Sequence, residues 1–231
     1  MLCMENVTKT YEMRRQTVVA LDNATLDIPE GDFVSLIGPS GSGKSTLLVM
    51  LGGMLSPSSG RVLLKGESMY DLNADGRARL RKASVGFVFQ TFNLISYLSA
   101  KENVQIPLYL SGHNDADQRE RAAELLDRVG LGDRLDHKPT ELSVGEQQRV
   151  ALARMLANDP AVILADEPTG NLDPETSEQI IGFFEEFNRE GRTVVMVTHN
   201  PEAAERAKRV LKLRDGKIVD DRASIHSFDA A

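Results

Sequence analysis

The sequence predicts an α/β fold with a helical region inserted between two stretches of sheet, and three observations carry that prediction. The glycine-rich stretch Gly38-Pro39-Ser40-Gly41-Ser42-Gly43-Lys44-Ser45 joins the apolar run Phe33–Ile37 to a helix-prone run ending at Leu51. Ala161–Ala165 and Thr193–Thr198 are continuous apolar runs, the mark of strands covered on both faces. From about residue 91 to residue 158 the periodicity becomes helical, with Ala122, Leu125, Leu126 and Val129 forming one apolar stripe.

In chain order, residues 1–30 read as β. Leu2, Met4 and Asn6-Val7 make a short first strand, and Val19, Leu21, Leu26 and Ile28 flank the turn residues Asp22-Asn23. Tyr11 stands near the end of the first stretch, as a half-exposed hairpin aromatic or as a platform on which adenine stacks. After the glycine-rich loop and its helix, Ser56–Gly60 is a turn, and Arg61–Gly66 is a strand running into another. Val85–Phe89 is β-prone and ends in Gln90. In the helical region Gly130 ends the striped helix, and polar 131–142, carrying Pro139, is a loop leading to the next helix start. A helix from Pro174 to about Arg189 shows Ile180, Phe183, Phe184 and Phe187 at helical spacing, and residues 210–219 form a hairpin around Asp215-Gly216. The expected organisation is a single domain over 1–231, with its core in 1–90 and 159–231, a helical part at about 91–158, and no added regulatory domain.

Composition narrows the function. The 231 residues, 41% of them hydrophobic, suffice for a sizeable core without staples. A single cysteine, Cys3, excludes an internal disulfide and points to a reducing compartment. No apolar run reaches the ~18 residues that a membrane span needs. Glu5, Lys9 and Glu12 interrupt the start where a signal peptide would be apolar, so a soluble, non-secreted chain is expected. A net charge of −7 argues against a nucleic-acid surface.

The chemistry-bearing residues gather at strand ends. Gly38 to Ser45 has the spacing G-x-x-x-x-G-K-[ST] in a strand–loop–helix setting. Such a loop, here Gly38, Ser40, Gly41, Ser42, Gly43, Lys44, Ser45 and Thr46, turns backbone N–H groups and a helix N-terminus onto phosphates. Lys44 reaches the β- and γ-phosphates, and the Ser45 hydroxyl holds Mg²⁺. Three more strands end in Gln90, in Asp166-Glu167 and in His199, and α/β sheets bind ligands beyond their carboxyl ends. Asp166 fits a Mg²⁺ ligand and Glu167 the general base for an attacking water. Gln90 can bond a metal-bound or attacking water and His199 can donate to a γ-phosphate, though each alone also reads as a satisfied structural residue. Ser143-Val144-Gly145-Glu146 is a capping box, and the same helix start is an anion-binding surface that could serve a second subunit's nucleotide. Asp173 before Pro174 is an N-cap, again with room for a second role.

Taken together, the phosphate loop, Gln90, Ser143–Gln147, Asp166-Glu167, Asn171-Leu172-Asp173 and His199 resemble, in order and over essentially the whole chain, the ATP-binding subunit of ABC transporters. Phe87–Leu94 and Glu167–Asp173 look like the group serving lipoprotein release, macrolide-type export and cell-division-linked transporters. The resemblance implies a P-loop NTPase core with a mixed central sheet, an N-terminal antiparallel β subdomain and an inserted α-helical subdomain. It implies ATP and Mg²⁺ as ligands and an adenine-stacking role for Tyr11. It also implies a homodimer that sandwiches two ATP molecules between each phosphate loop and the other subunit's Ser143, Gly145 and Glu146, with Asp173 at the interface. Hydrolysis would drive a separate integral-membrane permease docked near Phe92–Asn103, placing the chain in the cytoplasm on the inner face of the membrane. One departure stands out: the family's usual Leu-Ser-Gly-Gly-Gln is Leu142-Ser143-Val144-Gly145-Glu146 here. Two other readings are a soluble ABC ATPase acting on DNA or ribosomes and a nucleotide-binding module that does not hydrolyse. The lack of coiled coils and of a basic face argues against the first, and intact Lys44, Asp166, Glu167 and His199 against the second.

Overall fold

The structure, a computed structural model, describes residues 1–13 and 16–224. The last seven residues of the core segment expected over 159–231 lie outside the described residues. Two sheets form the scaffold. The first is antiparallel and four-stranded, in the order β2 (Gln16–Ile28), β1 (Leu2–Met13), β4 (Ser59–Leu64), β5 (Glu67–Ser68). β1 is longer than the short strand expected from Leu2 to Val7. Register shifts between Met4 and Thr10, with Asn6 in the left-handed region at φ 48°, break the apolar alternation midway and hide its continuation.

The second sheet is six-stranded, in the order β10 (Lys217–Ala223), β9 (Arg209–Arg214), β3 (Phe33–Ile37), β8 (Thr193–Val197), β7 (Val162–Asp166), β6 (Val85–Phe89). Only the β9–β10 hairpin is antiparallel, so this sheet is mixed. Its central strands alternate between two cores, which is why they read as unbroken apolar runs. Val162 and Leu164 join the core shared with α1 (Lys44–Leu51) and the antiparallel sheet, whereas Ile163 and Ala165 face the core shared with the helices.

After β6 the chain leaves the sheet, forms α3 (Ala100–Leu110), α4 (Asp115–Arg128) and α5 (Val144–Leu156), and returns at β7. Ala122, Leu125, Leu126 and Val129 pack with Val104, Leu108, Val150 and Leu152 in a core continuous with that under α6 (Pro174–Arg189). Two helices were not foreseen in the sequence. In α2 (Ala74–Ser84) Ser84 is the one buried residue, so it has no apolar stripe to read, and α7 (Pro201–Glu205) is too short to show a period. The loop expected over 131–142 holds two short 3₁₀ turns, Gly132–Arg134 and Pro139–Glu141. Burial, helped by Asp27 and Glu5, pushes the Cys3 thiol above its ordinary value, which leaves it a poor nucleophile. Among the described residues no helix is long and apolar enough to cross a membrane.

Candidate functional site

β3, β6, β7 and β8 deliver Gly38, Gln90, Asp166-Glu167 and His199 to the same edge of the mixed sheet. Between β3 and α1 the glycine-rich loop bounds a pocket of about 440 Å³, lined by Gly38, Ser40 through Thr46, Glu167 and His199, and closed on one side by Val18–Ala20 of β2. Gly43 caps α1 at φ 103°, and a Cβ there would stand 2.3 Å from the Ala20 carbonyl oxygen. Only glycine lets the loop turn its amides inward while β2 lies this close. The Lys44 ammonium curls back on the loop, donating to the carbonyls of Gly38 (2.8 Å) and Pro39 (3.0 Å). The Ser42 hydroxyl is buried with no hydrogen-bond partner among the described residues. A free donor, an ammonium held by carbonyls alone and a helix N-terminus make a site for a polyanion.

The Ser45 hydroxyl donates to Asp166 Oδ1 at 3.1 Å. Burial pushes the Asp166 carboxyl above its ordinary range; the Ser45 hydrogen bond offsets part of this, and neighbouring Glu167 adds to it. One hydroxyl and one carboxylate, both hard oxygen donors beside a phosphate loop, fit Mg²⁺, which takes one or two protein oxygens together with substrate phosphates and water. Among the described residues no three His, Cys, Asp or Glu side chains cluster as an all-protein metal cage.

Glu167 adopts φ 49°, unusual for a residue with a side chain, and its N–H donates to the Val197 carbonyl at 3.0 Å. The turn directs its carboxylate toward β8, where Oε2 lies 2.7 Å from His199 Nδ1 and accepts from the His199 N–H at 3.3 Å. Gln90 lies outside the pocket lining: its side-chain amide donates to Asn171 Oδ1 at 3.4 Å, and Asn171 donates back to the Gln90 carbonyl at 3.1 Å. Tyr11 is also outside the lining, but it pairs across the strands with Val18, which belongs to it. Tyr11 as a whole is 38% exposed, with Lys9 Nζ 5.2 Å from its ring centroid.

Ser143, Gly145, Glu146 and Asp173 form a second cluster, at the N-termini of α5 and α6 and away from the pocket. The capping box is complete: Ser143 N–H donates to Glu146 Oε2 (2.8 Å) and Glu146 N–H to Ser143 Oγ (3.2 Å). The Ser143 N–H, with further help from the Ser143 hydroxyl and Arg134, holds the Glu146 carboxyl below its ordinary value. Asp173 caps α6 through Thr176, accepting from its N–H (3.0 Å) and its hydroxyl (2.6 Å). Val144 is 46% exposed.

The sequence reading missed three residues that tie these clusters together. Thr176 abuts α5: a Cβ on Gly145 would stand 2.6 Å from Thr176 Cγ2. Gln148, fully buried in α5, donates to the Pro168 carbonyl at 2.7 Å. Arg154 at the far end of α5 donates to the carbonyls of Phe92 and Asn93, both at 2.6 Å, just beyond Gln90. All three are tertiary contacts with no local signal in the sequence.

Comparison with known proteins bears on this geometry. A family model described as ABC transporter matches residues 21–170. The chain is 47% identical over 218 residues to a macrolide export ATP-binding/permease protein, MacB, of Hyphomonas neptunium, covering 94% of this chain and 34% of that protein. It therefore spans about a third of the length of the macrolide export relatives it matches. It is also 47% identical over 219 residues to an uncharacterized ABC transporter ATP-binding protein, YknY, of Bacillus subtilis, covering 95% of each. Among solved structures, the ATP-binding cassette MJ0796, in a dimeric post-hydrolysis state bound to ADP and Pi, matches with a TM-score of 0.91 and 43% identity, over 96% of this chain and 98% of that one.

Proposed function

From the premise that the chain belongs to the ABC transporter family, as an ATP-binding domain with ATPase chemistry, we propose that two copies close head to tail on two ATP molecules and drive a membrane permease. One observation carries the dimer. The phosphate pocket lacks the capped α5 N-terminus of its own chain, so Ser143 and Gly145 are left to serve a different nucleotide. The dimeric state named for the MJ0796 cassette supports this reading.

Each residue then has a task set by its place. The loop amides and Lys44 hold the β- and γ-phosphates, and Tyr11 stacks on adenine beside Val18. Ser45 and Asp166 would hold Mg²⁺, which would supply positive charge against the phosphates. Glu167 accepts the proton of the attacking water, and His199, already bonded to that carboxylate, orients it and faces the γ-phosphate. Gln90, fixed against Asn171, bonds the water or the metal from the edge of the sheet. The partner's Ser143, Gly145 and Glu146 close the far side.

The permease docks on a separate groove of about 660 Å³, lined by Met54, Phe87, Asn93, Ile95, Ile106 and Leu110 together with Arg81 and Lys82, in a part of the chain that also exposes Tyr97 and Tyr109. Asn93 and Arg154 belong to its wall, so occupancy of the groove bears on the segment that follows Gln90. Macrolide export by the relatives that carry a permease makes export or lipoprotein release the transport class we favour.

The test is Glu167→Gln, which keeps the shape and removes the base. ATP binding persists, turnover is nearly lost, and an ATP-bound dimer accumulates on gel filtration. A monomer in ATP together with undiminished phosphate release refutes both the base and the dimer.

A further inference from the structure

Gln148 occupies an unusual position for a core residue. Its side chain is completely buried; Nε2 donates to the Pro168 carbonyl at 2.7 Å, while Oε1 is buried with no hydrogen-bond partner among the described residues. One bond made and one acceptor left unmet nearly cancel, so this amide does little for stability that an apolar side chain of equal size would not do. What it does is geometric. Pro168 follows Glu167 directly, and Glu167 is held in the left-handed region at φ 49°. Gln148 sits one turn along α5 from Ser143 and Gly145, so a single rigid helix joins the capped N-terminus to the turn that aims the Glu167 carboxylate.

The two ends of that link face different nucleotides. In the head-to-tail dimer, on which this inference rests, the α5 N-terminus reads the ATP held by the partner's phosphate loop, while Glu167 acts on the ATP of its own subunit. We propose that Gln148 is a positioning residue that couples the two ATP sites, setting Glu167 of one site when α5 seats on the nucleotide of the other. The contact of Gly145 with Thr176 runs parallel to this link, and through the Asp173 cap it steadies the segment that follows Pro168.

The experiment is steady-state hydrolysis by Gln148→Met, which fills the same space and removes both the donor and the unmet acceptor. The melting temperature, monomer ATP affinity and KM stay at wild-type values, kcat falls about tenfold, and the Hill coefficient for ATP drops toward one. Gln148→His, which keeps an N–H on the side chain, retains kcat and the Hill coefficient, whereas Gln148→Asn, whose amide stops one carbon short of the Pro168 carbonyl, loses both at unchanged ATP affinity and decides the question if the Met variant does not fold. Unaltered kinetics in Gln148→Met overturn the proposal. A fall in kcat that merely follows lost melting temperature or lost ATP binding also overturns it, because it marks a packing residue. Absence of an ATP-dependent dimer with Glu167→Gln alone overturns the sandwich reading and this proposal with it, whereas a normal dimer with unaltered Gln148→Met kinetics overturns this proposal alone.

Discussion

Gly145 has a packing reason to be glycine and a proposed second one at the partner's nucleotide, and one pair of substitutions separates them. Inside the subunit, a Cβ would stand 2.6 Å from Thr176 Cγ2. Thr176 cannot simply rotate away, because its hydroxyl is held by Asp173 Oδ2 at 2.6 Å. Gly145→Ala therefore forces the N-termini of α5 and α6 apart or breaks the α6 cap. Overpacking of this kind costs about 1–3 kcal/mol, or roughly 2–12 °C in melting temperature for a chain of this size. Thr176→Ser removes the offending methyl and keeps the hydroxyl bond to Asp173, so it should be nearly neutral alone and should return most of the lost stability in the double variant. If Gly145 also has to bring bare backbone against the partner's γ-phosphate, the double variant remains inactive although its stability is recovered. Calorimetric melting temperatures of the four proteins, together with phosphate release over a range of protein concentrations, complete the cycle. Recovery of both stability and hydrolysis in Gly145→Ala/Thr176→Ser would mean that the glycine serves only the packing of α5 on α6, and the role in trans would fall.

Two further outcomes follow from the site. Lys44→Ala removes a charge-assisted contact worth about 1.5–3 kcal/mol, so ATP affinity drops roughly tenfold or more, and an unchanged dissociation constant for a fluorescent ATP analogue refutes the assignment. The Glu146 carboxyl is held below its ordinary value of 4.5 by the Ser143 N–H, so its contribution to stability is fully present above that pH and is lost as pH falls through the depressed value. Glu146→Gln keeps an acceptor for the capping box without a titrating charge, so its urea midpoint should fall less steeply than wild type below about pH 4.5. Parallel midpoint curves for the two proteins would show that the box gives no acid sensitivity.

The parts of the fold that could be read in the sequence are those whose burial is two-sided or strictly periodic. β7 was visible because Val162 and Leu164 enter one core while Ile163 and Ala165 enter the other, leaving no polar position in the run. α4 and α6 were visible because each buries one stripe. α2 was not, since among its eleven residues Ser84 alone is buried, and its turns are held instead by the Asn73 cap accepting from Gly76 N–H. β1 reads short because its bulges shift the alternation at Asn6, so that buried Val7 falls out of phase with Leu2 and Met4.

The candidate site divides along the same line. The candidate residues that stand where the chain passes from strand to loop are contiguous in sequence with apolar runs, so Gly38, Gln90, Asp166-Glu167 and His199 can be found one by one. Their grouping follows from the parallel register of β6, β7, β3 and β8, which ends all four strands at one edge. What the sequence withheld is how the two clusters are joined. α5 is hydrogen-bonded to the chain just after Glu167 through Gln148 and just after Gln90 through Arg154, and at Gly145 it abuts Thr176 of α6. Each of these contacts ends on a backbone carbonyl or a methyl group, atoms that carry no residue-type signature at the receiving end. A motif search can therefore recover the candidate phosphate-site groups, but the frame that orders one cluster against the other can be recovered only from the packed chain, and the proposed dependence of one ATP on the other rests on that frame.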